Sequence, residues 1–191
     1  MANKDAPFGL KPIGKVGQNR DNQGLSEYDI AASATAIYFQ DPVKMLNTGT
    51  IGVAAAGDAL LGAITGVFFT DASTSKPTFA NHLDASNAAT DIKGFVTDDP
   101  YERFEIQTNN SGASATTDIF NVADIVYAAG SSPDYVSQVE LNDSTLANGS
   151  SATLQILGLS KDPDNSDVGS ANVNWVVRIN EHQLDMNVNG V

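Results

Sequence analysis

Residues 95–108 read Phe95-Val-Thr-Asp-Asp-Pro-Tyr-Glu-Arg-Phe-Glu-Ile-Gln-Thr108. In the second half of this stretch Phe104 and Ile106 fall on one side of an extended chain, while Arg103, Glu105 and Gln107 fall on the other. That period of two belongs to a half-buried β-strand and not to a helix. Between the halves, Asp98-Asp99-Pro100 has the chemistry of a turn. Aspartate side chains accept hydrogen bonds from the backbone just ahead, and proline fixes φ and withholds an amide. The expectation is two strands, over 92–96 and 101–108, meeting at a hairpin corner. The same alternation returns near the end, where Val173, Trp175, Val177 and Ile179 point one way and Asn174, Arg178 and Asn180 the other.

Short apolar segments separated by turn clusters fill the rest. Strands are expected over 26–30, 36–39, 43–46, 50–54, 60–70, 119–128, 135–141 and 153–159. The best helix candidate is 57–64, where Asp58 offers a cap, but Gly62 weakens it. Lys, Arg and Glu, the usual formers of surface helices, are scarce. About ten short strands at this spacing predict an all-β fold, an antiparallel sandwich or barrel. Residues 1–24 carry Pro7, Pro12 and four glycines, and read as an extended N-terminal arm before a β-rich body over 25–191. The Ser/Ala/Gly/Thr stretch at 109–117 is the candidate break between sub-lobes.

The 191 residues suffice for a core that buries roughly 70% of the unfolded chain's surface. No cysteine is present, which removes disulfides, thiolate metal sites and cysteine nucleophiles together. No apolar run approaches the ~20 residues of a membrane helix, and no secretory leader is read at the start, so neither a membrane nor secretion is expected. Net charge is −13, which argues against nucleic acid as a partner. The charge is uneven. Residues 1–20 hold Lys4, Lys11, Lys15 and Arg20 against Asp5 alone, a net of +3, which leaves −16 for the remainder. A basic arm before an acidic body has two readings of equal weight, a chance fluctuation at a flexible end or an arm lying across a neighbouring subunit's acidic surface.

Sites of chemistry are few. His82 and His182 are the only histidines, and no nucleophile-elbow sequence accompanies either. Asp98, Asp99, Glu102 and Glu105 lie close together, yet turn capping accounts for the aspartates more simply than a glycosidase carboxylate pair. Asp162-Pro-Asp-Asn-Ser-Asp167 alternates oxygen donors as calcium loops do. Asp167 stands where such a loop needs glycine, and Val173 where it needs glutamate, so a solvated turn is the default reading. Gly62-Ala-Ile-Thr-Gly66 has the wrong spacing for a phosphate loop and no following lysine. No cofactor, metal or catalytic residue is expected, and the chain is not read as an enzyme.

Three ordered segments resemble a family of tailed-bacteriophage structural proteins, of the type common in phages of marine bacteria. They are Asp5-Ala-Pro-Phe-Gly-Leu-Lys-Pro-Ile-Gly14, the stretch from Phe95 to Gln107, and Leu154-Gln-Ile-Leu-Gly-Leu-Ser-Lys-Asp-Pro-Asp-Asn165 followed by Val177-Arg-Ile-Asn-Glu-His182. The resemblance implies a capsid decoration, or cement, protein. Such a protein sits on the outer capsid surface of the virion, binds the major capsid protein and commonly forms a homotrimer. Under that reading the contacts are assigned to the arm, through Lys4, Phe8, Leu10, Lys11, Ile13, Lys15 and Arg20. Deleting residues 1–24 is then expected to weaken attachment while leaving the body folded. Another virion component (a head fibre base, a tail-tube subunit or a glycan-binding module) is the alternative, and a hydrolase comes last.

Overall fold

The computed structural model describes residues 3–17, 24–109, 114–149 and 151–185. Among these the chain is all-β, as its alternating pattern predicts, with thirteen short strands. The only helical elements among the described residues are single 3-10 turns at Thr116–Asp118 and Asp143–Thr145. One sheet has five strands in the order β1 (Lys11–Lys15), β8 (Glu102–Gln107), β13 (Asn174–Ile179), β12 (Leu154–Leu159) and β9 (Val122–Ala123). The second runs β2 (Ser26–Asp29), β7 (Lys93–Thr97), β5 (Gly62–Thr70), β3 (Pro42–Met45), β4 (Ile51–Val53), with β6 (Pro77–Ala80) on the far half of β5. A two-stranded ribbon joins β10 (Ile125–Val126) to β11 (Glu140–Leu141). Every ladder between strands is antiparallel.

Each large sheet buries one face. Phe104, Ile106, Leu154, Ile156, Trp175 and Val177 form the centre of the first core. Ile30, Ile37, Val43, Ile64, Val67 and Val96 form the centre of the second. The two meet along the start of β5 and the residues before it. Leu60 and Ala63 enter the first core, whereas Leu61 and Ile64 enter the second. A strand segment buried on both faces reads as a continuous apolar run, which explains why 60–64 shows no alternation. Gly62 is required inside it, because a Cβ there would lie 2.0 Å from the Thr97 carbonyl oxygen.

The expected hairpin at Asp98–Pro100 is corrected. β7 pairs with β2 and β5 in the six-stranded sheet, while β8 pairs with β1 and β13 in the five-stranded one. The turn therefore hands the chain from one sheet to the other. Its local chemistry is as read. Asp99 Oδ1 accepts from the Tyr101 amide at 2.8 Å, and the Asp99 carbonyl accepts from the Glu102 amide at 2.9 Å. A tight turn does not say whether its flanking strands pair, because that depends on partners about 70 to 90 residues away.

The described part of the N-terminal segment is built into the body. β1 is the edge strand of the five-stranded sheet, and Leu10 is fully buried in the first core. Gly9 makes the approach; its φ is +76°, and a Cβ would meet the Gln40 carbonyl at 2.4 Å. The expectation that residues 1–24 can be removed with the body intact is therefore replaced by the opposite one: with Leu10 in the core and β1 against β8, their removal is expected to open the core and uncover β8.

Candidate functional site

Two of the N-terminal basic residues find acids on their own chain. Lys11 Nζ lies 3.0 Å from Glu105 Oε2, and Lys15 Nζ lies 2.7 Å from Asp99 Oδ2. Lys4 is exposed, and its backbone carbonyl accepts from Gln107 Nε2 at 3.0 Å and from Asn165 Nδ2 at 2.7 Å. Phe8 is half-buried beneath Lys11 Nζ, 5.7 Å from the ring centroid. Asn3 bonds the 167–171 turn through both ends of its amide. Of the contact residues expected from sequence, Leu10 is enclosed in its own core and Lys11 and Lys15 are paired in cis. Ile13 remains open at 44% exposure. Arg20 lies outside the described residues.

A cleft of about 590 Å³ opens where β1, β7 and β8 converge, with Lys15, Asp98, Asp99 and Glu102 in its wall. The sequence clusters these acids correctly, and the structure shows what holds each one. Asp98 Oδ2 accepts from the Tyr28 hydroxyl at 2.6 Å; burial first, and then this carboxylate, raise the tyrosine's pKa. Glu102 is 5% exposed and accepts from the Gly14 amide at 2.9 Å, and burial raises its pKa. Glu105, on the opposite face of β8 from the core, is held by Lys11 and by the Ser160 hydroxyl. All four carboxylates thus brace the corner and the β1–β8 seam.

His182 is buried at 1% exposure beside the same corner. Its Nδ1 accepts from the Leu184 amide at 3.1 Å, which places the proton of the neutral ring on Nε2. Burial holds its pKa below the usual value, although the charges of Asp98, Asp185 and Asp99 pull the other way. His82 stacks flat on Tyr135, 3.7 Å between ring centroids. The Asp162–Asp167 loop is a capped turn, with Asp162 Oδ1 accepting from the Asp164 amide at 3.0 Å and Asn165 bridging to the Asn172 carbonyl at 2.7 Å. Among the described residues, no group of three or more His, Cys, Asp or Glu side chains is placed to hold a metal ion. Nor is any helix there long and apolar enough to cross a membrane.

Sequence reasoning missed the solvent face of the five-stranded sheet. Arg103 on β8 and Arg178 on β13 are direct cross-strand partners there. Arg178 Nε donates to Gln155 Oε1 at 2.8 Å, whereas Arg103 Nε is buried without a partner. Both arginines were legible as outward-pointing; that they stand side by side required the strand register. No protein-family model, curated protein or solved structure matches the chain.

Proposed function

We propose that this chain is a structural protein of a tailed-phage virion. In this reading it binds the outside of the assembled capsid, with the major capsid protein as its partner, and stabilises the shell by bridging neighbouring capsomers. One observation carries the reading. The three segments that carry the resemblance, separated by 80 and 46 residues of sequence, contribute β1, β8, β13 and β12, four adjacent strands of one sheet, with only Phe95–Thr97 lying in β7 of the other. Segments that form one contiguous unit are what a shared fold would preserve together.

Three further features support the role. The acidic body keeps copies soluble on a crowded surface. Two packed sheets supply rigid area. Five large apolar side chains stay exposed around the β1 edge and the corner, namely Ile13, Val16, Leu25, Tyr101 and Leu184, between 43% and 48% open. Clustered exposed apolar groups of this kind mark surfaces that meet another macromolecule.

The decisive experiment is co-sedimentation of the purified chain with assembled, undecorated shells and, separately, with unassembled capsid subunits. Binding to shells alone, at a copy number that is a multiple of three, is the expected result. Equal binding to free subunits, or none to shells, overturns the proposal.

A further inference from the structure

We infer that the solvent face of the five-stranded sheet is a cationic docking surface, and that its occupant is the acidic β7–β8 corner of a second copy of this chain. The starting point is a row of residues across four strands, Gln155, Arg178, Arg103 and Gly14. Two arginines directly opposite each other on one sheet face repel, so the pair destabilises the isolated sheet unless an anion lies between them. Neither forms a direct ion pair among the described residues, although the charge of Arg103 reaches the neighbouring Glu102. Gly14 leaves room beside Arg103, where a Cβ would sit 3.6 Å from a terminal guanidinium nitrogen. Adjacent guanidinium groups present planar donor forks that match carboxylates.

The charge distribution strengthens the case. Residues 98–185 contain fourteen acids and only three bases, Arg103, Lys161 and Arg178. All three bases gather on this side of the molecule. Lys161 borders the same groove as Arg103, with Ile13, Val16, Leu157 and Val176 as its apolar lining. Two acids line this groove: Glu105 is occupied by Lys11 and Ser160, and Asp162 accepts from the Asp164 amide and Asn174 Nδ2. The face therefore combines net positive charge, Lys11, Arg103, Lys161 and Arg178 against Glu105 and Asp162, with exposed apolar surface.

The complement lies on the same chain. At the corner, Leu25 and Leu184 are 48% and 46% exposed and share a cleft with Asp98, Asp99 and Lys15. Lys15 pairs with Asp99, and Asp98 accepts from the Tyr28 hydroxyl but keeps its charge, so with Asp185 the corner stays net negative. Asp185 stands next to Leu184, and the buried His182 ring feels Asp98, Asp185 and Asp99 together. An acidic, apolar corner thus matches a cationic, apolar face in both charge and hydrophobicity. Long-range repulsion between copies of net charge −13 is screened beyond about 8 Å at physiological salt, so the local match decides. Because face and corner are different surfaces, the contact is heterologous, and it closes into a ring when the rotation allows. The inference rests on the proposed function only for the expectation that copies meet.

Light scattering on the full purified chain tests it. The wild type is expected to be oligomeric. Arg103→Glu/Arg178→Glu is expected to be monomeric, with association weakened roughly 30-fold or more and an unchanged β-sheet circular dichroism spectrum. Leu184→Arg/Asp185→Arg alters the other surface and is expected to be monomeric alone. Mixing the two variants should give a heterodimer, because one keeps its corner and the other its face. Should the glutamate variant fail to fold, Arg103→Gln/Arg178→Gln must weaken association in its place. A monomeric wild type, an oligomer that survives the arginine changes, or folded variants that do not pair would each overturn the interface. A monomer that still decorates shells removes this contact and leaves the capsid proposal standing. An oligomer that ignores shells does the reverse.

Discussion

Asp41 has no exposed surface, and its Oδ2 accepts from the Tyr38 amide at 2.8 Å. Burial pushes its pKa up from 3.8 to about 6, against the opposing pull of Ser137 and the Tyr38 amide. The folded state therefore binds a proton more tightly than the unfolded state does. Between pH 3.8 and about 6 the native chain holds more protons, so this group's contribution to stability falls as pH rises through that window. Asp41→Asn should remove the effect. Unfolding free energies of the variant from urea titration are expected to gain on wild type from pH 4 to 6, by up to about 3 kcal/mol, and to run parallel above that. Parallel curves throughout would show that Asp41 is not the buried acid described. The residue scale also separates two glycines that look alike in sequence. Gly62→Ala drives a Cβ to within 2.0 Å of a backbone carbonyl, whereas at Gly158 nothing lies within 4 Å. The first change should cost more than about 3 kcal/mol by denaturant titration, and the second should stay within about 0.5 kcal/mol. Neither Asp41's burial nor Gly62's confinement is legible in sequence, because both arise where distant segments close on one residue.

Strands β8 and β13 were legible because one face of each carries core side chains and the other polar ones, which writes a period of two into Phe104–Ile106 and Val173–Ile179; the polar face is itself largely covered, with Glu105, Gln107 and Asn174 all buried, so β8 is not the half-buried strand its pattern predicts. Their neighbours were not legible. β8 takes its partners from residues 11–15 and 174–178, and no local pattern names them. For the same reason the β7–β8 turn looked like a hairpin and proved to be a change of sheet. The N-terminal segment misled in the opposite sense. Its prolines and glycines suit a loose arm, yet Gly9 serves a close approach and Leu10 anchors the strand. Leu10→Ala should destabilise the whole chain by about 2–5 kcal/mol, as removal of a fully buried leucine does. Deleting residues 1–17 should expose β8 as a raw sheet edge and give an aggregating or unfolded product. Thermal unfolding and gel filtration check both. A truncated chain that stays monomeric with the wild-type melting temperature would mean that β1 contributes nothing to the body.

At the scale of the whole molecule, two cores share one strand. Leu60 and Ala63 belong to the first, Leu61 and Ile64 to the second, and Gly62 is pinned between them. The C-terminal turn adds a second tie. The Leu60 amide donates to the Glu181 carbonyl at 2.9 Å, the Leu60 carbonyl accepts from the Gln183 amide at 2.8 Å, and Gln183 Oε1 accepts from the Met45 amide at 2.6 Å. A change that loosens either core must then disturb the wall of the other, so the chain should unfold in one step. Trp175, the sole tryptophan, lies in the first core and reports on it alone. Ile92 lies in the second. Ile92→Ala is expected to lower the fluorescence midpoint of Trp175 as much as the circular dichroism midpoint, with a loss of about 2–5 kcal/mol by either probe. If tryptophan fluorescence kept its wild-type midpoint while the dichroism transition split, the cores would be independent folding units. The shared strand would then be a contact between lobes and not a common wall.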